Sequence, residues 1–218
     1  MIVHILDEVN KKKIILASGS PRRKEILQQI GLKFAVIPST FDEKSIDKKL
    51  FKTPQDFVKF SAQQKAKNIL ETFEKVNHTH HFNISKKKDE NIFMVIGSDT
   101  VVVLDEKILE RPINKENAFQ MLKSLSGRKH MVCTGVALIS KKFEIIFCDT
   151  TFVEFDEISD EMISAYIETG EPMDKAGSYG VQAIGGSFIK KIDGCFYNVM
   201  GFPLHLFCKE ILKINQNF

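Results

Sequence analysis

Apolar and polar positions alternate along this chain in two rhythms, and the switches between them outline its elements. Lys13–Ala17 is a short apolar run bounded by charge and by Ser18-Gly19-Ser20, the signature of a buried strand. Arg22–Ile30 then carries Ile26, Leu27 and Ile30 on one side and stops at Gly31, the spacing of a helix. A second strand is expected at Phe34–Ile37, before a polar stretch over Ser39–Lys52. Thr53-Pro54-Gln55-Asp56 is composed as a helix start: an N-cap threonine, proline at the first position and an acid three residues on. That helix is expected to end near Phe73, and the polar, low-complexity segment Lys75–Asn91 to be a solvated loop. Strands are predicted at Phe93–Gly97 and Thr100–Leu104, with a turn at Asp105-Glu106-Lys107. Asn114–Leu125 reads as a helix ended by Gly127. His130–Ile139 and Phe143–Phe155 are too β-branched and aromatic for helices and read as paired strands. Ser159 caps a helix through Ile167, and a glycine-rich stretch covers Gly170–Gly186. A strand at Ser187–Ile192 and a helix from Pro203 complete the chain. Hairpins interrupt the alternation of strand and helix, so the expected fold is α/β, one domain over residues 1–218 with a mixed sheet and flanking helices.

Composition narrows the class. Hydrophobic residues make up 43% and charged residues 27% of 218, which is ordinary for a globular domain. The net charge of +3 is too small an excess to imply a nucleic-acid partner, although a small phosphorylated ligand needs only a local basic pocket. No apolar run approaches the ~20 residues of a membrane span, and Met1–Leu6, followed by Asp7 and Glu8, does not resemble a secretory signal. Cys133, Cys148, Cys195 and Cys208 lack CxxC spacing and sit in apolar runs, as buried free thiols in a reducing compartment would. A soluble, cytoplasmic protein is expected.

Three places break the chain's own structural logic, and such places are candidates for function. In Ser18-Gly19-Ser20-Pro21-Arg22-Arg23-Lys24, Ser20 suits an N-cap, yet three cations crowd a first helical turn whose dipole disfavours each by ~0.3–1 kcal/mol. A polyphosphate on that helix start would remove the conflict; a solvated basic turn is the plainer reading. Lys65 falls in the apolar stripe Val58, Ala62, Ile69, Phe73, so it must either snorkel out or meet an anion. Asp99 lies in the apolar run Phe93–Leu104 and needs a cation, a hydrogen-bond network or a metal, unless it marks a polar strand end bent at Gly97. Phosphate cradle, lysine and carboxylate are the parts that metal-assisted cleavage of a phosphoanhydride requires.

At these residues the chain resembles the Maf family, septum-formation-type nucleotide pyrophosphatases. SGSPRR (Ser18–Arg23), KFSAQQKAK (Lys59–Lys67), GSDT (Gly97–Thr100), LSGRKHMVCTGV (Leu125–Val136), GEPMDKAGSYGVQ (Gly170–Gln182) and NVMGFP (Asn198–Pro203) match its ordered motifs across nearly the whole chain. The resemblance implies an elongated α/β fold with a cleft between two lobes, like the inosine triphosphate pyrophosphatases, a divalent Mg²⁺ or Mn²⁺ and a homodimer. It implies Asp99 as proton acceptor and metal ligand, Glu43 as a second acidic ligand, and Arg22, Arg23 and Lys65 on the phosphates, with Ser18 or Ser20 beside them. Arg22, Thr100 and Gln182 would be the substrate-choice positions, in the combination that resembles the branch acting on dTTP and UTP. Asp174 and Lys175 would complete the cleft. The chain departs from the family in one respect: Arg111 precedes Pro112 where a lysine is usual, which keeps the charge but widens the donor group.

The function implied is hydrolysis of dTTP or UTP to the monophosphate and pyrophosphate. The alternatives are a nucleotide-binding regulator of cell division that does not cleave its ligand, and a structural adaptor that binds none. Other motifs weigh less. His78, His80 and His81 lack an acidic or cysteine partner at ligand spacing. Asn77-His78-Thr79 and Asn83-Ile84-Ser85 fit a glycosylation pattern with no signal peptide, and Lys86-Lys87-Lys88 reads as a solvated loop. His130 and Cys133 fit a strand without an oxyanion device, which argues against a cysteine hydrolase.

Overall fold

The computed structural model describes residues 2–79 and 92–217. In chain order its elements are α1 (Leu6–Val9), β1 (Lys13–Leu16), α2 (Pro21–Gln29), β2 (Ala35–Val36), α3 (Pro54–Thr79), β3 (Ile92–Leu104), β4 (Lys107–Leu109), α4 (Lys115–Leu125), β5 (Lys129–Ile139), β6 (Glu144–Phe155), α5 (Asp160–Glu168), β7 (Ile189–Asp193), α6 (Phe196–Met200) and α7 (Leu204–Asn217). Local signals set several boundaries. The Thr53 hydroxyl accepts from Asp56 N (3.2 Å) and donates to the Asp56 carboxylate (2.8 Å), closing the start of α3. Asn114 and Ser159 cap α4 and α5 by accepting from Asn117 N and Met162 N. Ser20 stands at the cap position of α2, but its side chain makes no capping bond, against the expectation for that residue.

The strands form one seven-stranded sheet in the order β2-β1-β3-β5-β6-β7, with β4 also on β3. The β1 pairings are parallel and the others antiparallel, so the sheet is mixed, as expected. β5 and β6 pair along their whole length, from Lys129↔Glu154 to Ile139↔Glu144. Strand alternation sorts the core onto two faces. Val95, Val101 and Val103 face α3 with Ala62, Ala66, Val58 and Ile69. Met94 and Ile96 lie with Ile26 and Leu27 of α2 and Phe207 and Ile211 of α7, while Val102 and Leu104 meet α4 and α5.

Three expectations are corrected. Ser98 and Asp99 do not interrupt a strand: β3 runs unbroken for 13 residues because β5 pairs with it from Val95 to Val103. α3 continues past Phe73 to Thr79, since nothing in Glu74-Lys75-Val76 stops a helix. The turn after β3 holds two residues, Asp105 and Glu106, both at positive φ, in the geometry that matches strand twist. Helical turns at Val3–Val9 and α6 had no counterpart in the sequence reading. Residues 80–91, with His80, His81, Asn83 and the Lys86-Lys87-Lys88 run, lie outside the described residues. All four cysteines are free; Cys133 and Cys208 are buried and the other two partly so. Among the described residues no helix is long and apolar enough to cross a membrane.

Candidate active site

The site begins where two strands fail to meet. On one edge of β3, β1 ends its pairing at Ile96, where Ala17 N bonds Ile96 O at 2.8 Å, and β4 takes over only at Val102. Between them the edge around Ser98, Asp99 and Thr100 has no strand beside it among the described residues, and residues from both faces of the sheet reach it.

From one face comes α3. Glycine makes the approach possible: a Cβ at Gly97 would sit 2.0 Å from Ala62 O, and one at Gly135 2.3 Å from Val58 O. Gly135 is the residue opposite Asp99 in the ladder, so the helix backbone lies directly on the sheet beside that carboxylate. Lys65, one turn after Ala62, then places its Nζ 3.0 Å from Asp99 Oδ1, 2.9 Å from Glu43 Oε2 and 3.4 Å from Ser98 O. Lys65 is 8% and Asp99 6% exposed, so the lysine does not snorkel; it meets its anion inside. Burial alone would raise the Asp99 pKa, but the attraction of Lys65 and Arg23 and the Lys65 hydrogen bond outweigh it, and the carboxyl is held below its ordinary value.

From the other face comes Arg23 of α2. Its Nη1 donates to Ser18 Oγ (3.0 Å), Nη2 to Thr100 Oγ1 (2.9 Å) and Nε to Gly201 O (2.9 Å). Burial lowers its pKa to about 10, against the pull of Asp99 and Glu43, so it remains a cation at neutral pH. Ser18 is buried and also accepts from Ser20 N at 3.3 Å. Arg22 lies 4.0 Å from Asp174 Oδ2; burial lowers its pKa, Asp174 opposes this, and Arg111 adds to the lowering. Arg111 itself is exposed, yet its charge bears on both guanidiniums.

The structure therefore brings Ser18, Ser20, Arg22, Arg23, Glu43, Lys65, Asp99 and Thr100 together, with Arg111 beside them. Lys175 is tied within its own loop, donating to Glu171 O and Asp174 Oδ1 at 2.6 Å each, and the Asp174 carboxylate lies between it and Arg22. Gln182 is exposed and makes no hydrogen bond to the cluster among the described residues. Sequence reasoning missed Thr134, Asn198 and Gly201, which lie behind Thr100 and Arg23. The quoted motifs contain all three, but only the β3–β5 register and the seat of α6 show what they touch. It also missed Glu110, whose carboxylate pairs with Lys48 while its carbonyl holds Gly177 N at 3.1 Å, joining the segment after Glu43 to the glycine-rich loop.

The site is thus a set of cations gathered round a buried, ionised carboxylate at an open strand edge of an α/β protein. The profile of the family described as "Maf-like protein" matches residues 13–214, and the chain belongs to that family. A human "Probable bifunctional dTTP/UTP pyrophosphatase/methyltransferase protein" is 42% identical over 96% of this chain, which spans 33% of that longer protein. The "dTTP/UTP pyrophosphatase" of Clostridium perfringens (strain 13 / Type A) is 45% identical over 91% of this chain and 95% of its own length. That of Bacillus cereus (strain ATCC 10987 / NRS 248) is 40% identical over 99% and 97%. Among solved structures, a HAM1 protein from Coxiella burnetii superposes with a TM-score of 0.46 at 12% identity, over 93% of this chain and 99% of that one.

Proposed function

We propose that this protein hydrolyses dTTP and UTP to the nucleoside monophosphate and pyrophosphate. The observation that carries the reading is the Lys65 ammonium held between Asp99 and Glu43 within the field of Arg23. Relatives named for this activity match almost end to end and support it. Arg22, Arg23, Lys65 and Arg111 bind and orient the phosphates, and their charge opposes the negative charge that grows on phosphoryl oxygens as the bond breaks. Asp99, kept ionised, accepts a proton from the water that attacks the α-phosphorus; the α–β phosphoanhydride bond breaks and pyrophosphate leaves.

Glu43 and Asp99, both within 3.0 Å of one ammonium nitrogen, fit a Mg²⁺ or Mn²⁺ that arrives with the nucleotide. Such ions are commonly held by one or two carboxylates plus substrate phosphates, and the described residues form no larger acidic or histidine cluster. When bound, the ion would neutralise phosphate charge and lower the pKa of a water. Thr100 stands at the Arg23 fork, which suits a role in choosing the substrate, and Gln182 joins that role only if the glycine-rich loop moves toward the nucleotide. A cytoplasmic homodimer completes the reading on the strength of the family resemblance, and light scattering tests the dimer.

The test is a nucleotide panel scored for pyrophosphate with and without divalent metal. dTTP and UTP should be cleaved ahead of purine triphosphates, and Asp99→Asn should lower turnover by about 10²-fold or more. Binding of dTTP without pyrophosphate release would establish the non-catalytic regulator instead.

A further inference from the structure

Behind the phosphate-facing side of Arg23 runs a hydrogen-bond chain that the proposed reaction does not itself use. Arg23 Nη2 donates to Thr100 Oγ1 at 2.9 Å, Thr100 Oγ1 lies 3.0 Å from Thr134 Oγ1, and Thr134 Oγ1 lies 3.2 Å from Asn198 O. A guanidinium only donates and a carbonyl only accepts, while a hydroxyl has one proton to give. With Thr134 donating to Asn198 O, Thr100 donates to Thr134 and accepts from Arg23, so both hydroxyls are used head to tail; turning the Thr100 proton to Gly201 O breaks that order.

Its far end is anchored. Asn198, fully buried, donates through Nδ2 to Val132 O and to Thr151 Oγ1, each at 3.0 Å. Thr151 Oγ1 accepts from Cys195 N (3.0 Å) and donates to Cys195 O (3.3 Å). One asparagine thus staples α6 to β5 and β6, and α6 in turn delivers Gly201 O to Arg23 Nε. The guanidinium is gripped by Ser18, Thr100 and Gly201, which occupy three of its five N–H donors and leave one proton on each terminal nitrogen for a ligand. Without the chain, the Thr100 proton is free to turn to Gly201 O, 3.3 Å away, in competition with Arg23 Nε.

We propose that Thr134 and Asn198 are positioning residues, fixing the plane of the Arg23 guanidinium through Thr100 and α6 so that its remaining donors face the substrate phosphates. The proposal rests on the reading that Arg23 serves the phosphates, and it names residues that neither touch substrate nor sit at the open edge.

Thr134→Val keeps shape and removes the relay; Thr134→Ser keeps the hydroxyl. In the full-length protein, the Arg23 Nε–H signal in nitrogen-15 NMR should broaden and lose exchange protection in Thr134→Val and be restored in Thr134→Ser. With dTTP and Mg²⁺, Thr134→Val should lower kcat by about tenfold with little change in KM, the fold-change of one lost buried hydrogen bond. Its effect should vanish in an Arg23→Lys background. Asn198→Asp, which swaps the Nδ2 donor for an acceptor, should act in the same direction as Thr134→Val. An unchanged Arg23 signal in Thr134→Val would overturn the proposal, as would kcat losses from Thr134→Val and Arg23→Lys that simply multiply. A loosened Arg23 signal with undiminished turnover would uphold the positioning and instead remove Arg23 from the reaction.

Discussion

Lys65 and Asp99 show how strongly two side chains can depend on one another. Each is buried, and each would be costly there alone; together they form an ion pair whose remaining bonds go to Glu43 and Ser98 O. Removing one partner of such a pair costs about 3–5 kcal/mol, because the other charge stays buried without compensation. Lys65→Met should therefore lower the melting temperature sharply at neutral pH, and the loss should depend on pH. The folded Asp99 pKa lies below its unfolded value of about 3.9, so its contribution is present above that pH and disappears as pH falls through the folded value. In Lys65→Met the folded pKa rises instead, and acid then relieves the penalty. Calorimetry from pH 7 to 4 should show the gap between native protein and variant narrowing on acidification, and a constant gap would contradict the pairing. That Lys65 and Asp99 were misplaced in apolar runs was legible in the sequence. That they answer each other across 34 positions was not.

Among the elements, α3 carries Lys65 into the site and the glycine-rich loop borders it through Asp174. α3 rests on Gly97 and Gly135, and the helix backbone fills the space that side chains would take. Gly97→Ala overpacks this contact against a backbone oxygen, so a loss of about 1–3 kcal/mol or more is expected. Turnover should fall further than stability, because moving Lys65 by about 1 Å relative to Asp99 can cost about 10²-fold. Melting curves and pyrophosphate release measured together check both, and a fully active, equally stable variant would show that α3 has slack. The glycine-rich loop depends on Glu171, whose carboxylate accepts from Tyr166 Oη (2.8 Å), Ile184 N (3.0 Å) and Gly185 N (3.2 Å). Glu171→Gln turns a donor toward one of these donors, and about 1–3 kcal/mol should be lost locally. Hydrogen exchange at Ile184 and Gly185 should quicken, and unchanged rates would count against that anchor. In β3, Gly-Ser-Asp-Thr has the composition of a bend, and local preference yielded to a ladder with β5 from Val95 to Val103.

Over the whole molecule, apolar clusters pack both faces of the sheet, and the site's carboxylates are answered by Lys65 and Arg23. A chelator alone should leave the melting temperature of the unliganded protein unchanged. A non-hydrolysable dTTP analogue with Mg²⁺, at about a hundredfold its Kd, should add about 2.7 kcal/mol, or about 5–10 °C for a chain of this size. Scanning fluorimetry decides both; melting lowered by the chelator, or no shift with analogue and metal, would oppose the picture of a preformed fold and an ion that comes with its nucleotide. The amino-acid order by itself determined the mixed α/β class, most element positions, and the cations and carboxylate out of place in their settings, because periodicity and capping act over a few residues. Only the tertiary structure decided that α2, α3, the Glu43 segment and α6 converge on the stretch of β3 around Asp99 that β5 pairs along one edge and β1 and β4 leave open along the other. Strand register and helix seating are set by contacts between residues far apart in the chain, and no local pattern encodes which of them will meet.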